Sequence, residues 1–64
     1  MPISSRDAIR LLEANGWVEV RQSGSHKQFK HPTRPGTVTV PSPTKDLSLG
    51  VIKDIQAKTG LRLT

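Results

Sequence analysis

Apolar residues along the chain recur with two periods, and the switches between them mark out the elements. Between Ser4 and Ala14, Ala8, Ile9, Leu11 and Leu12 fall at helical spacing, with Arg6, Arg10 and Glu13 off the stripe. Ser4 can cap this helix, and Asp7 stands at the acidic position of a capping box. Asn15-Gly16 ends it, because glycine adopts the left-handed conformation common just past a helix. The period then falls to two. Trp17 to Gln22 alternates, with Val18 and Val20 on one face and Trp17, Glu19 and Arg21 on the other, as in a half-buried strand. Ser23-Gly24-Ser25 is a turn; His26 to His31 runs extended around one large apolar residue, Phe29; Pro32 to Gly36 turns again. Thr37 to Val40 is a further alternating strand, followed by the loop Pro41 to Thr44. Helical spacing returns after Lys45-Asp46. Ser48 can cap this helix and Leu47 can staple against Ile52. Leu49, Ile52 and Ile55, with Val51 beside them, form the expected buried stripe. Gly50 weakens the first turn modestly. Gly60 is the stop, after which Leu61 and Leu63 can fold back onto the core.

The order α-β-β-β-α predicts an α+β fold, a two-layer sandwich with a three-stranded antiparallel sheet and both helices on one face. Residues 1–64 then form one domain, and Val18, Val20, Phe29, Val38 and Val40 are expected to line the inner face of the sheet. Alternation puts His26, Gln28 and Lys30 on the outer face, opposite Phe29. The first hairpin has two candidate registers. Pairing Val18 with Phe29 gives a Ser23-Gly24 turn and sets Arg21 across from His26; pairing Val20 with Phe29 gives a wider turn with His26 inside it. Neither register makes His26 a core residue.

Composition narrows the function classes. A chain of 64 residues is short, and a domain of this size buries only about 60% of its unfolded surface. No cysteine is present, so no disulfide or thiolate metal site is expected. No apolar run approaches the roughly 20 residues that span a bilayer, and Met1-Pro2-Ile3-Ser4 resembles neither a signal sequence nor a transit peptide. Ten Lys and Arg against five Asp and Glu give a formal charge of +5. A polyanion suits such a surface, since each cation placed on a phosphate releases condensed counterions. Charge alone does not choose between DNA, RNA and an acidic protein.

Candidate chemistry centres on His26. It follows a glycine turn that lets backbone approach a ligand, and imidazole titrates near neutral pH. Arg21, Lys27 and Lys30 are cationic neighbours able to attract phosphate. A histidine beside RNA phosphate can serve acid–base catalysis of attack by the 2′-hydroxyl. From residue types alone, an exposed strand histidine without a role is the commoner case. His31 shares the face of Phe29 and reads as a packed or strand-end residue. The two histidines lie on opposite faces and lack a carboxylate-rich cluster, so no metal site is expected. Ser25 points away from His26, and no carboxylate is placed to orient the imidazole, which argues against a serine hydrolase. Trp17 on the open face could stack on a base or serve as a lid over the core edge. Arg34 and Lys45 are candidate phosphate contacts or solvated loop charges. The same alternatives apply to Arg6 and Arg10, one helical turn apart, for which a solvated face is the commoner role.

An ordered series of residues then resembles one family. It comprises the first helix running into Gly16-Trp17, Arg21-Gln22, Gly24-Ser25-His26 with Phe29, Lys30-His31-Pro32, Pro35-Gly36, Val38-Thr39-Val40-Pro41 and Lys45-Asp46-Leu47. Over nearly its whole length the chain resembles the HicA toxins of toxin–antitoxin pairs. The resemblance implies a fold like that of double-stranded-RNA-binding domains and a cytoplasmic, metal-independent endoribonuclease that cuts mRNA and arrests growth. It requires no cofactor. It places the catalytic histidine on His26 and implies a HicB-like antitoxin as protein partner. With the basic residues already noted, the expected RNA-binding set is Arg21, Gly24, Ser25, Lys27, Gln28, Lys30, Arg34 and Lys45. Ser48 departs from the family pattern, since many members carry proline at the start of the last helix; serine is also a competent cap.

Overall fold

A computed structural model describes residues 3–63; the expectations that touch Met1, Pro2 and Thr64, the N-terminal signal reading and the outer limits of the domain, lie outside the described residues. The elements run α1 (Ser5–Ala14), β1 (Val18–Ser23), β2 (His26–Lys30), β3 (Val38–Pro41) and α2 (Leu49–Thr59). The strands form one antiparallel sheet in the order β1-β2-β3. Both helices pack on the same face of it, as the α-β-β-β-α reading requires.

Local chemistry sets the helix ends. Ser4 Oγ accepts from the Asp7 amide at 3.1 Å. At α2, Ser48 Oγ accepts from the Val51 amide at 3.3 Å. Serine therefore starts this helix as a cap, without a proline. Gly60 closes α2 in the left-handed conformation, φ 73°, where a Cβ is unfavourable. Beyond it the chain turns back: the Leu63 amide donates to Gln56 Oε1 at 2.9 Å, and Leu61 and Leu63 pack at the core edge.

The core comprises Ala8, Leu12, Trp17, Phe29, Val38, Val40, Leu47, Ile52 and Ile55. Three expectations are overturned here. Val18 and Val20 are not inner-face residues; they are 58% and 54% exposed, whereas Trp17 is buried instead of lying on the open face. A period of two decides which residues share a face but not which face turns inward. Trp17 has far more apolar surface to remove from water than either valine, and it takes the core side. Leu49 is also exposed, at 63%, because Leu47, just ahead of the cap, occupies the core where α2 begins.

The hairpin register differs from both sequence readings. Ser23 pairs with His26, so the turn is the two residues Gly24-Ser25, and near it the strands follow the register that would join Val20 to Phe29. Irregular pairing between Glu19 and Arg21 then shifts the ladder, and Glu19 rather than Val20 faces Phe29. Val20 is the additional residue of this bulge. Gly24 has φ 59°, as in a hairpin turn with glycine first, and among the described residues only glycines have positive φ. His26 is thereby a strand residue and not part of a wide turn.

Candidate functional site

Residues paired across an antiparallel sheet share a face, so the register defines the open surface. The row nearest the turn is Ser23, His26 and Pro41; the next is Arg21, Gln28 and Thr39; Val18 and Lys30 lie beyond. His26 is exposed, and no hydrogen bond to its imidazole forms among the described residues. Arg21 occupies the row beside it, about 7–8 Å away as a diagonal neighbour. Lys30 is four residues along β2, about 13 Å at strand rise. The fold thus gathers His26, Arg21, Gln28 and Lys30 on one open, mostly polar surface, with Gly24 and Ser25 at its end.

Three expected contacts lie elsewhere. Lys27 alternates to the helix side, where its Nζ is 3.8 Å from Glu19 Oε1. Lys45 borders a depression against the start of α1 with Ser4, Ser5 and Arg6. Arg34 lies at the far end of the sheet, its guanidinium about 3.5 Å from the position a Cβ on Gly60 would take. A cation there complements the negative end of the α2 dipole.

The turn end is braced from behind. The Ser42 amide donates to the Ser25 carbonyl at 2.6 Å, tying the loop after β3 to the hairpin turn. Ser5 and Thr44 exchange two hydrogen bonds, amide to carbonyl at 2.8 Å and amide to hydroxyl at 3.0 Å. These contacts anchor α1 and the Ser42–Lys45 loop beside the strand that presents His26. Sequence reasoning did not single out Ser23, Thr39 or Pro41 as neighbours of this row. The signal for Ser23 was the glycine-first turn, which favours a two-residue connection; Thr39 and Pro41 needed the β2–β3 register.

His31 is held differently. Its Nε2 lies 3.0 Å from the Asn15 carbonyl, an acceptor, so Nε2 carries the proton. Nδ1 accepts from the Thr33 amide at 3.1 Å, and Thr33 Oγ1 is also 3.1 Å away. The ring packs on Trp17, with centroids 5.3 Å apart and planes tilted by 59°. Both nitrogens are engaged, and the strand-end packing role expected of His31 is the one observed.

The His26 ring is therefore open to a molecule on the sheet face, whereas both nitrogens of His31 are engaged within the fold. No group of three or more metal-ligating side chains occurs among the described residues. None of the described helices is long and apolar enough to cross a membrane.

Comparisons with known proteins agree with this architecture. A family model described as the HicA toxin of bacterial toxin–antitoxin matches residues 5–61. A chain from a solved "HicA3 and HicB3 toxin-antitoxin complex" superposes with a TM-score of 0.82 at 30% identity, covering 97% of this chain and 100% of that one. A search of curated proteins finds no match.

Proposed function

Because the chain belongs to the HicA toxin family of toxin–antitoxin systems, we propose that it is an endoribonuclease toxin in which His26 is the catalytic residue. The observation that carries this reading is the position of His26, a free and exposed imidazole on an uncovered sheet face beside a glycine turn. The substrate is mRNA, met in the cytoplasm, and cleavage arrests growth.

The chemistry follows from the row geometry. An RNA strand laid across the open face brings a phosphate to the Ser23–His26–Pro41 row, with Arg21 in the adjacent row to draw its charge. The imidazole in its neutral form takes the proton of the ribose 2′-hydroxyl as that oxygen attacks phosphorus. The bond to the 5′-oxygen of the next nucleotide breaks, leaving a cyclic phosphate. That oxygen receives a proton from the imidazolium or from water. Exposure of the ring lets it exchange protons with solvent and reset between turnovers. Proton transfer of this kind contributes typically about 10²–10⁴-fold in rate.

A HicB-like antitoxin is the proposed protein partner, as the family assignment and the HicA3–HicB3 complex suggest. The test is controlled expression of wild-type and His26→Ala protein with mapping of RNA ends and thermal melting of both. Loss of cleavage with unchanged melting supports the assignment. Retained cleavage removes His26 from the mechanism, and RNA binding without cleavage in the wild type leaves a binding module in place of an enzyme.

A further inference from the structure

On the helix side of the sheet, a groove runs between α1 and the loop 42–45. It consists of two adjoining depressions of about 540 and 360 Å³ that share Ser5, Arg6 and Pro43. Cations come to it from three parts of the fold: Arg6 and Arg10 from α1, Lys27 from β2 and Lys45 from the loop. Glu13 is the one acidic residue on its wall, and Glu19 pairs with Lys27 from β1. Two of the amides that open α1 are already engaged, Ser5 N–H with the Thr44 carbonyl and Asp7 N–H with Ser4 Oγ. The affinity of the groove for anions therefore rests mainly on side chains.

Lys27 follows His26 directly along β2, with Cα atoms about 3.8 Å apart, but alternation sends its side chain to the opposite face. The groove thus ends one residue from the candidate catalytic row, across the rim formed by Gly24-Ser25 and Ser42-Pro43. A ligand occupying both surfaces must bend around this rim. A single strand can do so; a stiff duplex cannot follow so tight a turn.

We propose that this groove binds the phosphate backbone of single-stranded RNA, away from the cleaved bond, as the strand passes around the turn end of the sheet. The inference rests on the endoribonuclease reading for the identity of its ligand. Arg6 and Arg10 are its main contacts, both exposed on α1. Lys45 supports them, and Lys27 joins the groove to the His26 face.

The experiment uses the whole chain and a mixed-sequence RNA of about 20 nucleotides, 2′-O-methylated throughout so that cleavage cannot occur, with affinity measured across a salt series. Arg6→Ala/Arg10→Ala is expected to bind about tenfold more weakly at low salt. Its log–log salt slope should flatten by about 1.4, two contacts at about 0.7 each for single strands. Lys53→Ala/Arg62→Ala, which removes equal charge elsewhere, should shift both far less. Thermal melting checks that each variant is folded. A wild-type affinity and slope in the Arg6/Arg10 variant, while wild type binds, overturn the groove but leave catalysis at His26 intact. An equal loss in the Lys53/Arg62 control reduces the effect to net charge and overturns the site. An equal loss on the annealed duplex overturns the single-strand assignment. If wild type binds through the groove yet cleaves no RNA in the parallel assay, the groove stands and the endoribonuclease reading falls; absence of binding at every salt overturns the groove.

Discussion

His26 and His31 stand at the two ends of β2, and their surroundings differ in nearly every respect. At the turn end, the His26 ring projects from an open face beside polar neighbours. At the other end, His31 donates to the Asn15 carbonyl, accepts from Thr33 and packs on the buried Trp17. Its ring is shared by the α1 C-terminus, the β2–β3 loop and the core edge. The difference teaches that histidine reactivity in so small a domain depends on what the ring nitrogens are already doing. One end of the strand uses an imidazole to join elements; the other leaves an imidazole exposed on the open face.

The largest expected effect comes from breaking the free end. His26→Ala should lower RNA cleavage by about 10²–10⁴-fold with almost no change in melting temperature, because no internal contact is lost. Removal of Arg6 and Arg10 comes next, as the flattened salt dependence already described. At the structural end, Gly16→Ala should destabilise the fold by about 2–3 kcal/mol in a denaturant titration. Gly16 has φ 91°, and an added Cβ would lie 2.9 Å from His31 Nε2, a ring held in place on both sides. His31→Ala should cost about 2 kcal/mol through the loss of its hydrogen bonds with the Asn15 carbonyl and the Thr33 amide, at about 1 kcal/mol each. Cleavage per folded molecule should be unchanged, and a His31→Ala protein that stays folded but inactive would erase the contrast between the two rings. The smallest effect is expected at Arg34→Ala: about 0.5 kcal/mol from the lost cation at the end of α2, with unaltered RNA affinity. An RNA-binding defect as large as that of the α1 pair would move Arg34 back into the nucleic-acid surface.

Much of this organisation was legible without coordinates. Ser4, Ser48 and Gly60 were read as helix boundaries and act as such, because capping is decided within a few residues. The two-layer architecture followed from two helical stripes flanking three short strands. His26, Gln28 and Lys30 were placed opposite Phe29 by alternation, and they are. The less legible features involve comparison between distant segments. Lys27, Arg34 and Lys45 were grouped with His26 because they are basic, and the fold distributes them to the helix side, the far end of the sheet and the α1 groove.

Sequence by itself determined the elements, their order and their caps, since these depend on backbone preference and on side-chain period. Only tertiary structure decided the sign of β1. Valines and a tryptophan alternate on opposite faces, and either face could turn inward until the helices cover the sheet and the larger apolar side chain claims the space. The same packing fixed the bulge at Val20 and put His26 opposite Ser23. Register and face depend on contacts between residues far apart in the chain, whose free energies no local pattern expresses.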